Sequence, residues 1–342
     1  MKKGFRTLTL AAAALVALAL AATASAAYNT AKLQVTYAGT TTRIVASSGI
    51  NDDATARAAI VIPNGTTITA AAPGTKVGTA KAVVSALALA GAQLPLSGDV
   101  IVAPPGAVPA ASVVGCIGPN VAPQATLLLQ LSLAGVPLNL PAYVIPNAAG
   151  SAQAALGASS LVFCLSSPYI PVAQGGAANG AKFVSADLTL TGVFSPITQG
   201  AWVGFWTPWQ AGAGQVNAAG TVLSPAVIAP GAITLAGRKA AGRKALSGRL
   251  TQGGTGVVNR IQIWGAVGKA AFKPLAIVTS RQNGAFAYVA KRGAKQTSFQ
   301  AKAVVAGRGA PVLCSQFSSI PLPCVNATVN GFSATSKPVT LK

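Results

Sequence analysis

The chain has 342 residues, of which 25 are Lys or Arg, four are acidic and none is His; the acids are Asp52, Asp53, Asp99 and Asp187, so Glu is missing as well. Without His or Glu there is no Ser-His-Asp or Cys-His nucleophile, no paired-Glu glycosidase centre and no His-based zinc site. The acid–base routes left are an Asp pair or a Ser nucleophile with a Lys base, yet Ser-x-x-Lys, G-x-S-x-G and the P-loop pattern do not occur, so the sequence reads as a non-enzyme with no cofactor and no metal.

Residues 1–27 have the layout of a secretory signal. Lys2, Lys3 and Arg6 give a positive start, an Ala/Leu/Val stretch follows from about Leu8 to Ala22, and Ala24-Ser25-Ala26 supplies a small-x-small cleavage pattern. The apolar stretch falls short of the roughly 20 residues of a comfortable membrane span; an uncleaved anchor is the competing reading. No Cys follows the cleavage pattern, which leaves a lipid anchor unsupported, and no later segment reads as a span. The remaining chain of about 315 residues carries 22 basic and four acidic side chains, a net charge of +18.

Short segments rich in β-branched residues or Leu come next: AKLQVTY, TRIVAS, AAIVIP, DVIVAP, TLLLQLSL and ADLTLTGVF, each bounded by turn formers. This spacing of strands and turns predicts an all-β protein of two antiparallel β-sandwich domains. Asp52-Asp53, the one adjacent carboxylate pair, precedes AAIVIP. Neighbours on an extended strand point to opposite faces, and a calcium ion needs six to eight oxygens, so the pair reads as a solvated turn. Asp99 and Asp187 stand alone at strand edges.

LALAGAQLPLSGDVI (87–101) aligns without gaps to LSLAGVPLNLPAYVI (131–145), with eight of fifteen positions identical. Each copy reads as strand, Ala-Gly turn, strand: a duplicated hairpin, or two Leu-rich hairpins alike by chance. Between Val100 and Ala181 no side chain is charged; such a stretch is either buried or offers an apolar surface to a partner. The four cysteines, Cys116, Cys164, Cys314 and Cys324, form an even set behind a signal, which favours disulfides. Proximity and the domain split favour Cys116–Cys164 with Cys314–Cys324.

Three of the four Trp lie within AWVGFWTPWQ (201–210). Trp202 and Trp206 share a strand face, with Gly204 between them and Trp209 just beyond. Exposed, Trp202, Trp206 and Trp209 would stack on sugar rings; buried, they would close a core, the more usual place for Trp.

Near Pro230 the composition changes. Residues 28–229 hold six cations and all four Asp, for +2, whereas residues 230–342 hold sixteen cations and no acid, for +16. We place the domain boundary there: an Ala/Gly/Pro-rich domain over 28–229 and a basic domain over 230–342. GRKAAGRKAL (237–246) opens the second, and reads as an interdomain linker or an exposed leading strand. Its Arg238, Lys239, Arg243 and Lys244, with Arg249, Arg260, Lys291, Arg292 and Lys295, meet no carboxylate side chain in their own domain. They either stay hydrated or bind an external anion such as a wall phosphopolymer, an acidic polysaccharide or nucleic acid. Base-specific reading of nucleic acid has no support.

The strands of this basic domain follow as LSGRLTQGG, NRIQIWG, VTSRQNGAFAYVA and SFQAKAVV. Gly248 and Thr251, then Ile261 and Ile263, then Asn283, Gly284 and Phe286, then Phe299 and Ala301 match a pattern. In that pattern the second domain resembles the bacterial immunoglobulin-like and carboxypeptidase-regulatory-like β-sandwich modules. Arg281 stands where those modules usually have Asp, which puts in doubt any calcium at that turn. The chain beyond its signal also resembles secreted proteins of actinobacteria, a likeness that implies no activity. Asn283-Gly284 between apolar runs predicts a type I′ hairpin, and Gly253, Gly254 and Gly256 a flexible turn. Cys314–Cys324 would tie the last loop.

The reading as a whole is a secreted protein of the cell exterior, structural or adhesive, that contacts anionic envelope polymer through Arg238, Lys239, Arg243 and Lys244. The alternative is a carbohydrate-binding protein using Trp202–Trp209.

Overall fold

A computed structural model describes residues 31–133, 135–313 and 325–341. The chain is nearly all-β, as the strand signals predict, and divides into two compact units. One comprises Tyr37–Ser195 and Val203–Ser224 together with residues 31–33. The other comprises Pro225–Lys342, to which Gln34–Thr36 and Pro196–Trp202 also belong, so the division is not a single cut along the chain. The signal lies outside the described residues. Among the described residues no helix is long and apolar enough to cross a membrane.

The first eleven strands are β1 (Lys32–Ala38), β2 (Thr41–Ser47), β3 (Thr55–Ile62), β4 (Lys76–Ala86), β5 (Ala92–Val102), β6 (Ala125–Leu133), β7 (Val136–Pro146), β8 (Ser159–Cys164), β9 (Ala181–Thr191), β10 (Gly200–Pro208) and β11 (Val222–Ile228); all lie in the first unit except the middle of β1, the start of β10 and the end of β11. From β4 to β8 each strand pairs antiparallel with the next. This meander is inserted between β9, which pairs with β4, and β3, which pairs with β8. The order is β1-β2-β9-β4-β5-β6-β7-β8-β3-β10-β11. Interior position suits β3: its run AAIVI is buried on both faces, as a strand with no polar alternation requires.

The duplicated segment forms two hairpins, but their turns differ. In β6–β7 the leading Leu131 and Leu133 are in the ladder, opposite Leu138 and Val136. In β4–β5 the ladder ends at Ala86 opposite Ala92, and Leu87–Leu89 form a 3-10 turn closed by Ala90 and Gly91 at φ 53° and 79°. The first copy is therefore not strand–turn–strand throughout. Tertiary contact overrides the local pattern: Leu87 lies beside Gly180, where an added β-carbon would come within 3.2 Å of it.

A short helix, α1 (Ala110–Ile117), which the strand-only reading does not contain, follows β5 and buries only Ile117. The Cys116–Cys164 disulfide joins its last turn to the end of β8. Cys314 and Cys324 lie outside the described residues. Asp52 occupies a turn before β3 but is not solvated: it is 5% exposed, and its Oδ2 accepts the Gly49 backbone N–H at 2.7 Å.

In the second unit the strands are β12 (Gly231–Ala240), β13 (Arg243–Gln252), β14 (Thr255–Gly256), β15 (Arg260–Ala266), β16 (Lys273–Thr279), β17 (Ala285–Val289), β18 (Ser298–Val305), β19 (Arg308–Leu313), β20 (Val325–Val329), β21 (Phe332–Thr335) and β22 (Val339–Thr340). One sheet holds β12, β13, β14 and β17. A second runs β16-β15-β18-β21, with β22 also on β18. Ile233, Leu246, Leu250 and Phe286 from the first meet Ile261, Ile263, Phe299, Ala301, Ala303 and Val305 from the second in one buried cluster. Each comes from an alternating strand, so period two alone selects the inward set. Between β18 and β21 the chain leaves these sheets: β19 pairs with β20, and β20 runs parallel to the end of β11 at Ala226 and Val227.

Gly248 and Gly284, two positions of the module-like pattern, are explained by close approach. Gly248 lies opposite Phe286, and an added β-carbon would fall 2.4 Å from that ring. The Asn283-Gly284 turn is not type I′. Gly284 has φ 80°, but Asn283 is not among the residues at positive φ. The Gly284 N–H donates to the Arg281 carbonyl, and the Arg281 N–H to the Ala285 carbonyl, each at 2.8 Å. The turn also does not join paired strands; it carries the chain from β16 in one sheet to β17 in the other. A crossover between sheets does not need the twist that favours type I′ in a two-residue hairpin.

Candidate functional site

The tandem AGRKA repeat folds back on itself. Arg238 lies opposite Ala245, Lys239 opposite Lys244 and Ala240 opposite Arg243, leaving Ala241 and Gly242 as a two-residue turn. Both turn residues have positive φ, 47° and 71°, the backbone a type I′ turn requires. GRKAAGRKAL is thus neither a linker nor a lone leading strand but the tip of the β12–β13 hairpin. The duplication supplies each arm with Arg and Lys, and the register sets Lys239 against Lys244.

Directly opposite residues share a sheet face. Arg238 and Arg243 therefore lie on the outer face, with Arg249 further along. Lys239 and Lys244 continue the inner face beyond the core formed by Ile233, Leu246 and Leu250. Lys244 then acts differently from its neighbours. Its Nζ donates to the Ala294 carbonyl at 3.1 Å and to the Gln296 carbonyl, and its own carbonyl accepts the Ala290 N–H at 2.9 Å. These bonds fasten the loop after β17 against the hairpin, and Arg292 comes beside Gly242. Lys291, Arg292 and Lys295, all exposed, are thereby held at the same end as exposed Arg238, Lys239 and Arg243.

Six exposed cations at one end would repel one another, and in most proteins interspersed carboxylates relieve this. Here the acids are elsewhere. Asp187 is bonded by Arg43 through two nitrogens, at 2.6 and 2.8 Å, Asp99 pairs with Lys76 at 2.8 Å, and the Asp52 carbonyl accepts from Lys182 at 2.7 Å; all lie in the first unit. The second unit has no acidic side chain. Water tolerates such a cluster, at the cost of a strong positive local potential.

Other residues singled out in the sequence are not gathered at this end. Arg249 lies along the same sheet, where its Nε donates to the Asn283 carbonyl at 2.9 Å. Arg260 lies on the other sheet. Trp202 and Trp206 are buried, 0% and 1% exposed. Trp206 donates to the Ser224 hydroxyl at 2.6 Å and stacks on Phe183 with ring centroids 6.1 Å apart. Gly204 is not a flat gap for a sugar, because a β-carbon there would meet the Trp206 ring nitrogen at 2.6 Å. Trp209 is half-buried. Burial leaves Trp202 and Trp206 without a free face, so a sugar platform built on this segment is set aside.

The sequence reading passed over the fourth tryptophan. Trp264 is on β15, half-buried, on the face opposite the core residues Ile261 and Ile263. The alternation in NRIQIW was the available signal: it puts Arg260, Gln262 and Trp264 together on the outer face. The Lys302 ammonium lies 4.3 Å from the Trp264 ring centroid. No family model matches the chain, nor does any curated protein or solved structure.

Proposed function

We propose that the chain is a secreted, non-enzymatic protein of the cell exterior, and that its basic second unit adheres to anionic polymer. The observation that carries this reading is the cationic end: Arg238, Lys239, Arg243, Lys291, Arg292 and Lys295, held together by a hairpin and a loop in a unit without an acidic side chain. The signal-like N-terminus supports export. The immunoglobulin-like reading gains support from strand order: β12-β13-β17 in one sheet and β16-β15-β18-β21 in the other follow the alternation between sheets of that fold.

Adhesion of this kind depends on displaced counterions and weakens steeply with salt, the logarithm of affinity falling by about 0.7–0.9 per phosphate contact against the logarithm of salt. We expect the mature protein to bind heparin or wall phosphopolymer at low salt. Replacing Arg238, Lys239, Arg243, Lys291, Arg292 and Lys295 with Ser should weaken binding by at least about tenfold and flatten the salt dependence. Lys244 is kept in that variant, because its bonds hold the loop. Titration across a salt series checks this; overlapping curves for the two proteins would make the cluster only a hydrated surface.

A further inference from the structure

The outer face of the β16-β15-β18-β21 sheet is laid out in rows of opposed residues. One row places Ile277, Gln262, Lys302 and Thr335 side by side across four strands. The next sets Pro274, Trp264 and Gln300 together, and on the other side Arg260 faces Thr279. The face thus combines an indole, two cations, two amides and hydroxyls, with apolar Ile277 and Val304 exposed at 54% and 76%. A solvating surface does not need an indole and two exposed aliphatic side chains on one face.

We propose that this face binds an acidic polysaccharide, a pyranose chain carrying carboxylates, with Trp264 as its platform. The apolar C–H face of a pyranose packs on the part of the indole left uncovered. Lys302 and Arg260 supply the charges a uronate needs, and the unit has no acidic side chain to compete for them. The amides are already sorted into donor and acceptor. The Trp264 N–H donates to Gln262 Oε1 at 3.3 Å, so the Gln262 NH2 group is the one turned to a sugar. Gln300 Nε2 donates to the Ser336 carbonyl at 3.1 Å, so its oxygen is the one that accepts from a hydroxyl. A single-stranded nucleic acid fits less well, since such proteins stack successive bases on several aromatic side chains and this face has one. None of the residues of this face belongs to the cationic end.

The test uses the mature protein and short oligogalacturonates, with titration calorimetry to measure affinity for every variant and tryptophan fluorescence for the wild type. Binding should perturb the fluorescence and exceed that of a neutral oligosaccharide of equal length. Trp264→Ala should lower affinity about tenfold, the factor that 1.4 kcal/mol represents. Lys302→Gln, a change at the surface that leaves the fold intact, should weaken binding several-fold and erase the preference for the charged sugar. The six-Ser variant of the cationic end should bind these short oligomers as wild type does, which separates this site from the adhesion proposed above. No binding, equal binding of neutral and acidic sugars, tighter binding of oligothymidylate, or full affinity in both Trp264→Ala and Lys302→Gln would each overturn the proposal.

Discussion

Replacing Gly284 with valine should destabilise the second unit by about 3 kcal/mol or more, a fall in its melting temperature on the order of 10 °C. Two costs combine. Gly284 has φ 80°, where a β-branched side chain is strained. Its added β-carbon would also sit 2.1 Å from the Leu250 carbonyl oxygen and 3.0 Å from the Gly256 Cα. Both neighbours are backbone and neither can swing away: the Gly284 carbonyl accepts the Leu250 N–H at 2.9 Å, and the Leu250 carbonyl accepts the Val257 N–H at 3.0 Å. Gly254→Ala is the internal comparison. Gly254 has φ 82° but open space around it, so that substitution carries only the conformational cost, about 1 kcal/mol. Scanning calorimetry of the mature chain measures both. Equal effects of the two variants would show that the close approach to Leu250 does not matter.

Loss of the Cys116–Cys164 bond should weaken the first unit to a similar degree. The bridge closes a loop spanning 48 positions, for which the chain-entropy argument gives roughly 4 kcal/mol. Helix α1 makes the loss local as well as global. It has eight residues, fewer than a helix needs to persist alone, and Ile117 is its one buried side chain. Without the bond to β8, little besides Ile117 holds α1 in place. The double variant Cys116→Ser, Cys164→Ser should show a lower melting temperature, loss of the small helical signal in circular dichroism and faster amide exchange over 110–117. Unchanged exchange there would mean that packing, not the bridge, holds the helix.

What the sequence disclosed was mostly one-dimensional. Runs such as TRIVAS and AAIVIP are strands because their side chains leave few other options, and the inward set Ile261, Ile263, Phe299 and Ala301 follows from alternation alone. The turns were harder. Asn283-Gly284 carries the stronger dipeptide signal for type I′, yet its flanking strands belong to different sheets. Ala241-Gly242 carries a weaker signal and adopts that backbone, because β12 and β13 pair over ten residues and the register leaves those two positions to turn. Trp202 and Trp206 drew attention by clustering in sequence, but clustering along one strand says nothing about which face is covered. Trp264, isolated in sequence, stands beside Gln300 and Lys302 of β18, and only pairing brings them together. The separate role of Lys244 likewise depends on carbonyls about fifty residues further on.

The absence of acidic side chains in the second unit also determines how the two units respond to acid. Stability depends on pH only where folding changes the affinity of a group for protons. The charge of the second unit comes from Lys and Arg, types whose reference pKa values lie above about 10, and the unit has no Asp, Glu or His. The first unit is the acid-sensitive one. There the hydrogen bond from Arg43 holds the Asp187 carboxyl below its ordinary value. Its contribution to stability is present above the unfolded value of about 3.9 and is lost as pH falls through the lowered folded value. The Arg43–Asp187 pair is largely exposed, so its loss should lower the acid stability of the first unit by no more than about 1 kcal/mol. Following helix α1 and Trp264 separately during an acid titration tests this: the signal from α1 should change first, and coincident curves would contradict it.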